Sequence, residues 1–394
     1  MTGSPTVHCE LAPVLINRTA VYRMCRQIGP ELTKRGLRVR TFALLSKLNS
    51  TCQPNGWWSR CTWRFSARLL HWALRRPRTF LAARPVLERL CKSQRRGAFP
   101  LVMDPLYLLF HGELAHGVVM VYDTTPLTHP EWHGAATSRL YSAALKMLAR
   151  SSCHVVTCSK HTSDELRVNH AIVPSRLTVL PLGPLTSTCN QSHGAESRPA
   201  NEAPFLLFVG NIEPRKNVAG LVRAFNKADL FRTCGVRLRI IGTICDPKDR
   251  AVIEAHSTAG VDVLGFVDDA TLAASYRDCL GFIYPSFCEG FGIPLLEAMS
   301  AGCVCLATSA GASPEVGGDA VLYVNPHDDD AIAAGMLRVL NMCDADRRAL
   351  RERSKQRAQT FTWERFYDGL SGVLIKEAER CFAGSGVSYC GAAV

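Results

Sequence analysis

No apolar run in this sequence approaches the ~18–20 residues that a membrane-spanning helix needs. The start, Met1–Glu10, carries no basic segment followed by an apolar one, so a cytoplasmic chain that stays where it is made is the expectation. There is no C-x-x-C pair: the 17 cysteines scatter from Cys9 to Cys390, which argues against a disulfide framework and for reduced thiols. Cys303 and Cys305 stand closest, with no second ligand pair nearby, so no metal is expected. No G-x-G-x-x-G follows the first expected strand and no G-x-x-x-x-G-K-S/T occurs, which removes a dehydrogenase and a kinase-like NTPase.

Acidic residues are scarce in one place above all. Of the net charge of +12, the segment Trp57–Arg96 carries +10, with eleven Lys or Arg against the single acid Glu88. The basicity is a local patch, and with no RNA- or DNA-binding motif beside it no nucleic-acid partner is expected. Arg60, Arg64 and Arg68 recur there every four residues, and four of the six tryptophans, Trp57, Trp58, Trp63 and Trp72, lie among them. Such a helix suits an anionic membrane surface, where each cation near the lipid adds ~1 kcal/mol of attraction. A solvated basic face with its tryptophans in the core stays open beside that reading.

With 394 residues, 47% of them apolar, the chain can bury a full core and reads as two domains. Thr6–Leu11 reads as a strand, Ala20–Lys34 as a helix closed by Gly36, and Leu37–Leu44 as a second strand, a βαβ opening. Gly117–Tyr122, His154–Cys158 and Arg176–Leu180 are further expected strands, and Ser138–Ala149 an amphipathic helix. Between Pro184 and Pro204 the sequence turns to Ser, Thr, Asn, Pro and Gly without periodicity, as a linker does. Strand–helix alternation restarts at Phe205–Val209 and runs on to the expected helix Pro294–Ser300. The reading is an α/β fold of two Rossmann-like, doubly wound parallel-sheet domains, 1–185 and 204–360, facing across a cleft. The linker spans 186–203, and 361–394 forms a helix crossing back, with a tail.

The richest stretch is YPSFCEGFGIPLLEAMSAG, Tyr284–Gly302. A strand leads into a loop holding Glu289, Gly290 and Gly292, and a helix opened by Pro294 carries Glu297 two to three turns on. Glycines let backbone N–H groups approach a ligand and a helix N-terminus favours anions, so the stretch suits a phosphate with sugar hydroxyls. An arbitrary glutamate pair is more often solvated or satisfied locally; the completeness of this pattern weighs against that. It resembles the E-x7-E signature of the retaining GT-B glycosyltransferases commonly numbered family four, with G-F-G-x-P between Glu289 and Glu297.

The resemblance covers about Thr6 to Phe366. FVGNIEPRKN, Phe208–Asn217, is similar to the family's phosphate-binding segment, which implies that Arg215 and Lys216 neutralise the donor diphosphate, the job of a metal elsewhere. By the same resemblance Glu289 holds hydroxyls of the donor sugar, Glu297 holds the ribose, and Gly290, Phe291 and Gly292 belong to the donor-binding loop. VLGFVDD, Val263–Asp269, resembles the base-binding turn, with backbone groups at Phe266 and Val267 reading the base, although core packing is the commoner fate of such a phenylalanine. VYDTTPLTHPEWH, Val121–His133, resembles the segment facing the donor sugar and puts Asp123 forward as a catalytic candidate, with His129 and His133 as alternatives. Tyr122 stands where many relatives have histidine. Arg18 or Thr19 stands in a loop where relatives often have glycine.

The family implies transfer with retention, the leaving phosphate itself helping to deprotonate the acceptor. The phosphate segment and THPEWH look most similar to bacterial polysaccharide mannosyltransferases, so the expected donor is GDP-mannose. The basic patch, Arg60, Arg64, Arg68 and Trp72, would bring the enzyme to the cytoplasmic face of the inner membrane, with a polyprenyl-diphosphate-linked saccharide as acceptor in exopolysaccharide or O-antigen synthesis. No cofactor is expected. A UDP-hexose donor, or a nucleotide-sugar epimerase, are the alternatives.

Overall fold

The computed structural model describes residues 5–15, 20–49, 52–54, 56–92, 98–185, 203–245, 250–251, 253–254 and 259–383. The chain divides into two units: Met1–Pro181 with Glu364–Val394, and Leu182–Trp363.

The first unit is built on β1 (Thr6–Glu10), α1 (Ala20–Lys34), β2 (Arg38–Ala43), β3 (Ser46–Lys47), α2 (Trp57–Arg75), α3 (Pro77–Lys92), β4 (Phe99–Val102), α4 (Leu108–His111), β5 (Val118–Val121), α5 (Thr125–Thr128), α6 (Ala135–Arg150), β6 (His154–Thr157), α7 (Lys160–His170) and β7 (Leu177–Val179). The sheet order is β3-β2-β1-β4-β5-β6-β7, parallel except for the short β2–β3 pair. β4, β5 and β6 are buried at every residue, and their sequences FPLV, VVMV and HVVT accordingly show no alternation of apolar and polar residues. Phe80, Tyr107, Phe110, Leu140 and Leu145 fill the core on the helix side.

The second unit runs β8 (Phe205–Val209), α8 (Val218–Lys227), α9 (Leu230–Cys234), β9 (Arg237–Ile241), β10 (Val261–Gly265), α10 (Asp269–Asp278), β11 (Gly281–Tyr284), α11 (Ile293–Ser300), β12 (Cys305–Thr308), α12 (Ser313–Gly317), β13 (Leu322–Val324), α13 (Asp329–Leu340) and α14 (Asp344–Ala358). Its six strands, all parallel, lie in the order β10-β9-β8-β11-β12-β13. The strand order reverses between β8 and β11, and in open α/β sheets the crevice at such a point, beyond the carboxyl ends of the strands, is where ligands bind. The last helix, α15 (Trp363–Ala383), belongs from Glu364 onward to the first unit, where Arg35 pairs with Asp368 at 2.7 Å and lies over the Tyr367 ring.

Two doubly wound parallel-sheet units are the fold class expected from the sequence, and most expected elements fall within a residue or two of the observed ones. β4 escapes the sequence reading because FPLV is four residues long and contains a proline. The expected linker, apart from Ala203, and Arg18 and Thr19 lie outside the described residues. Glu297 sits closer than expected, little more than one turn into α11.

Candidate active site

The site is assembled where β8 and β11 end side by side. The chain leaving β8 makes a short 3-10 turn, Pro214–Lys216, and Asn217, in the left-handed region at φ 53°, swings it into α8. The Asn217 side chain holds that conformation by donating to the carbonyls of Pro285 (3.2 Å) and Pro326 (2.7 Å). Phe287 N–H donates to the Arg215 carbonyl at 2.9 Å and binds this turn to the loop after β11. That loop ends at Gly292, whose φ of 98° caps α11 in a conformation costly for a side chain.

These two loops bring together three of the residues singled out by the motif. Glu289 Oε2 accepts from Arg215 Nη1 and Glu289 Oε1 from Lys216 Nζ, both at 2.6 Å. Arg215 also donates to the Cys288 carbonyl (3.0 Å) and to Glu213 Oε1 (2.7 Å). Lys216 donates to the Tyr284 hydroxyl at 2.6 Å. Burial alone would raise the Glu289 carboxyl, but the facing charges of Arg215 and Lys216 outweigh it and hold the group at about 2. Burial pushes the Lys216 ammonium down, opposed by the Glu289 charge. Glu289 is therefore a fixed carboxylate at neutral pH, an acceptor of hydroxyl protons and not a proton donor. Lys216 engages two of its three N–H bonds with Tyr284 and Glu289.

Glu297, on α11, is buried and accepts from the Tyr276 hydroxyl of α10 at 3.1 Å. Phe291, in the expected donor-binding loop, is buried with its ring edge-on to Phe361, centroids 5.9 Å apart. Phe266 departs from the core-packing reading, since it is 82% exposed at the end of β10, beside a half-buried Val267. Gly311 supports the Glu289 loop. A Cβ there would lie 2.6 Å from Glu289 N, while Ala312 N–H donates to the Glu289 carbonyl at 2.9 Å.

In the first unit, Asp123 follows β5 and is tied into the start of α5 through one oxygen, which accepts from Thr125 N–H (3.2 Å) and Thr125 Oγ1 (2.9 Å). Thr125 Oγ1 also bonds His133 Nε2 at 3.0 Å, whereas His129 stacks on Trp132. The Tyr122 hydroxyl is buried with no hydrogen-bond partner among the described residues. Two further carboxylates end neighbouring strands. Glu10 is fully buried, accepting from the N–H groups of Ala12 and Leu44, each at 2.9 Å, and meeting His111 Nε2 at 2.6 Å. Asp104 accepts from Leu106 N–H and the Tyr141 hydroxyl; burial pushes it up to about 6 against those two bonds, and the Asp123 charge adds to the rise.

α2 presents Arg60, Arg64 and Arg68 outward, together with Trp57, Trp58 and Phe65, all exposed. Its opposite side buries Ser59, Ser66, Leu70 and Ala73. Trp72 departs from the expected patch: it packs against the core with its ring edge-on to Phe80. Among the described residues no group of three or more His, Cys, Asp or Glu is placed to hold a metal ion, and no helix is long and apolar enough to cross a membrane.

A family profile described as Glycosyl transferases group 1 matches residues 191–358. The chain is also 30% identical over 311 residues to the O-antigen chain mannosyltransferase B of Escherichia coli, covering 72% of this chain and 79% of that one. The chain belongs to the group 1 glycosyltransferases. Among solved structures, this glycosyltransferase aligns with a sucrose-phosphate synthase from Thermosynechococcus elongatus over 97% of its length and 100% of the other, at a TM-score of 0.67 and 19% identity. WaaG, a glycosyltransferase involved in lipopolysaccharide biosynthesis, aligns over 94% of this chain and 99% of its own, at a TM-score of 0.62 and 15% identity. At those identities the likeness carries the GT-B fold alone.

Proposed function

We propose that this glycosyltransferase moves mannose from GDP-mannose, with retention, onto a lipid-linked saccharide at an anionic membrane surface. The observation that carries the donor-site half is Glu289 held between Arg215 and Lys216 where β8 and β11 end. As the glycosidic bond to the leaving diphosphate stretches, negative charge grows on the phosphate and positive charge on the anomeric carbon. Arg215 and Lys216 face the first, and their placement in a water-poor site makes each worth a few kcal/mol, about 2–4 for one such donor. Glu289, always ionised, accepts hydroxyls of the sugar and sets a negative charge near the second. Glu297 takes the ribose, steadied by Tyr276. Asp123 is the catalytic candidate of the first unit, and the departing phosphate takes the acceptor proton. No step requires a metal in this scheme, because the two cations supply the positive charge.

Mannose as the sugar is supported by the likeness to the Escherichia coli mannosyltransferase. The membrane half is supported by α2, where three arginines and three exposed aromatic rings share the outward side. Calorimetry with GDP-mannose, GDP, UDP-glucose and UDP-N-acetylglucosamine, with and without EDTA, tests the donor. EDTA-resistant binding confined to GDP and GDP-mannose is expected; preference for UDP sugars overturns the mannosyl assignment.

A further inference from the structure

Two cysteines from different loops meet behind the Glu297 helix. Cys279 follows α10 and Cys303 lies between α11 and β12, yet their sulfurs are 3.7 Å apart. Both thiols point at one backbone atom: Cys303 Sγ donates to the Tyr276 carbonyl at 2.9 Å and Cys279 Sγ to the same oxygen at 3.5 Å. Tyr276 is in the last turn of α10, where carbonyls have no N–H partner within the helix. The dithiol is thus the cap of that carbonyl. The hydroxyl of the same tyrosine donates to Glu297.

We propose that Cys279 and Cys303 are a redox modification site, forming a disulfide that uncaps α10 and weakens nucleotide-sugar binding. Cys279 is half-buried and Cys303 fully buried, so an oxidant reaches Cys279 first. With hydrogen peroxide, the Cys279 thiolate attacks one oxygen, giving a sulfenic acid and, after proton transfer, one water. Cys303 sulfur then displaces the hydroxyl from Cys279; the S–S bond forms, the thiol proton leaves with that hydroxyl as a second water, and two electrons in all pass from sulfur to peroxide. The hydrogen-bonded contact with Cys279 and burial both push the Cys303 thiol up, which keeps it protonated and reserves it for the second step. Closure brings the sulfurs from 3.7 Å to the ~2.05 Å of a disulfide, within reach of loop movement. Both S–H donors vanish from the Tyr276 carbonyl, the end of α10 shifts, and the tyrosine hydroxyl moves on Glu297.

The effect on binding rests on Glu297 as the ribose partner; the chemistry of the pair does not. The full-length protein is treated with hydrogen peroxide, unreacted thiols are alkylated, and non-reduced peptides are weighed, while GDP and UDP binding is measured calorimetrically before and after. A peptide joining Cys279 to Cys303 is expected, with nucleotide affinity at least tenfold weaker and restored by dithiothreitol. Cys279→Ser and Cys303→Ser each keep a hydroxyl to donate to Tyr276 and should bind nucleotide before and after peroxide alike. Two alkylated thiols after peroxide overturn the modification, and a cross-link with unchanged affinity overturns its effect. If the reduced protein binds no nucleotide, the donor-site reading falls and the effect on binding with it, while the cross-link still decides the chemistry.

Discussion

Glu289 illustrates how far a single side chain can be read. Its carboxylate pairs with Arg215 and with the buried Lys216, so removing its charge leaves the Lys216 ammonium buried without that carboxylate, a loss of about 3–5 kcal/mol in comparable buried pairs. Glu289→Gln should therefore destabilise the second unit as well as lower turnover at least 100-fold, and circular dichroism beside a transfer assay separates the two. The pH dependence has a definite sign. A carboxyl held near 2, against 4.5 when free, contributes stability above about pH 4.5 that is lost as pH falls toward 2. The Gln variant should lack that part of the acid transition, of order 3 kcal/mol. Asp104 runs the other way: its folded-state value of about 6 lies above 3.8, so the stability it contributes is complete below 3.8 and lost as pH rises through 6. Asp104→Asn, which can keep accepting from Leu106 N–H, should raise the melting temperature at pH 7 and make no difference near pH 4. The glutamates and their cations were legible because they sit in motifs with unusual residue order. Tyr276, Tyr284 and Asn217 were not, because a tyrosine in a strand or helix reads as core and only the fold shows what its hydroxyl meets.

At the scale of elements, the Glu289 loop has little freedom. Gly311, at φ 63°, leaves no room for a methyl group against Glu289 N and O, at 2.6 and 2.8 Å from a Cβ. Gly311→Ala should push the loop away and weaken donor binding at least tenfold in calorimetry, although residue 311 carries no functional group; unchanged affinity would show that the loop adapts. Gly311 was invisible to a reading by motif because its neighbour across the fold is 22 positions away in sequence. α2 was legible as a basic helix, but the helical period alone could not choose which tryptophans face out. Packing decides: Trp72 meets Phe80, while Trp57 and Trp58 have no core beneath them. Replacing Arg60, Arg64 and Arg68 with Glu should abolish co-sedimentation with vesicles rich in phosphatidylglycerol and leave nucleotide affinity unchanged. Equal sedimentation of variant and parent would remove the lipid role of this helix.

For the whole molecule, alternating strand and helix signals sufficed for the two doubly wound units, since a parallel sheet needs a crossover between successive strands and few topologies satisfy that. Sheet order needed the structure, because the short buried strands β4 and β5 are both apolar four-residue runs and nothing local says which lies beside β1. One feature of this chain order reaches into biosynthesis. The first unit includes Glu364–Val394, so on the ribosome it waits for its last helix until the second unit has been made, roughly 180 residues later, or ~10–40 s at ordinary rates of synthesis. Throughout that interval the apolar ground that will receive Tyr367, Leu370, Leu374 and Ala378 stands bare to chaperones and to neighbouring nascent chains.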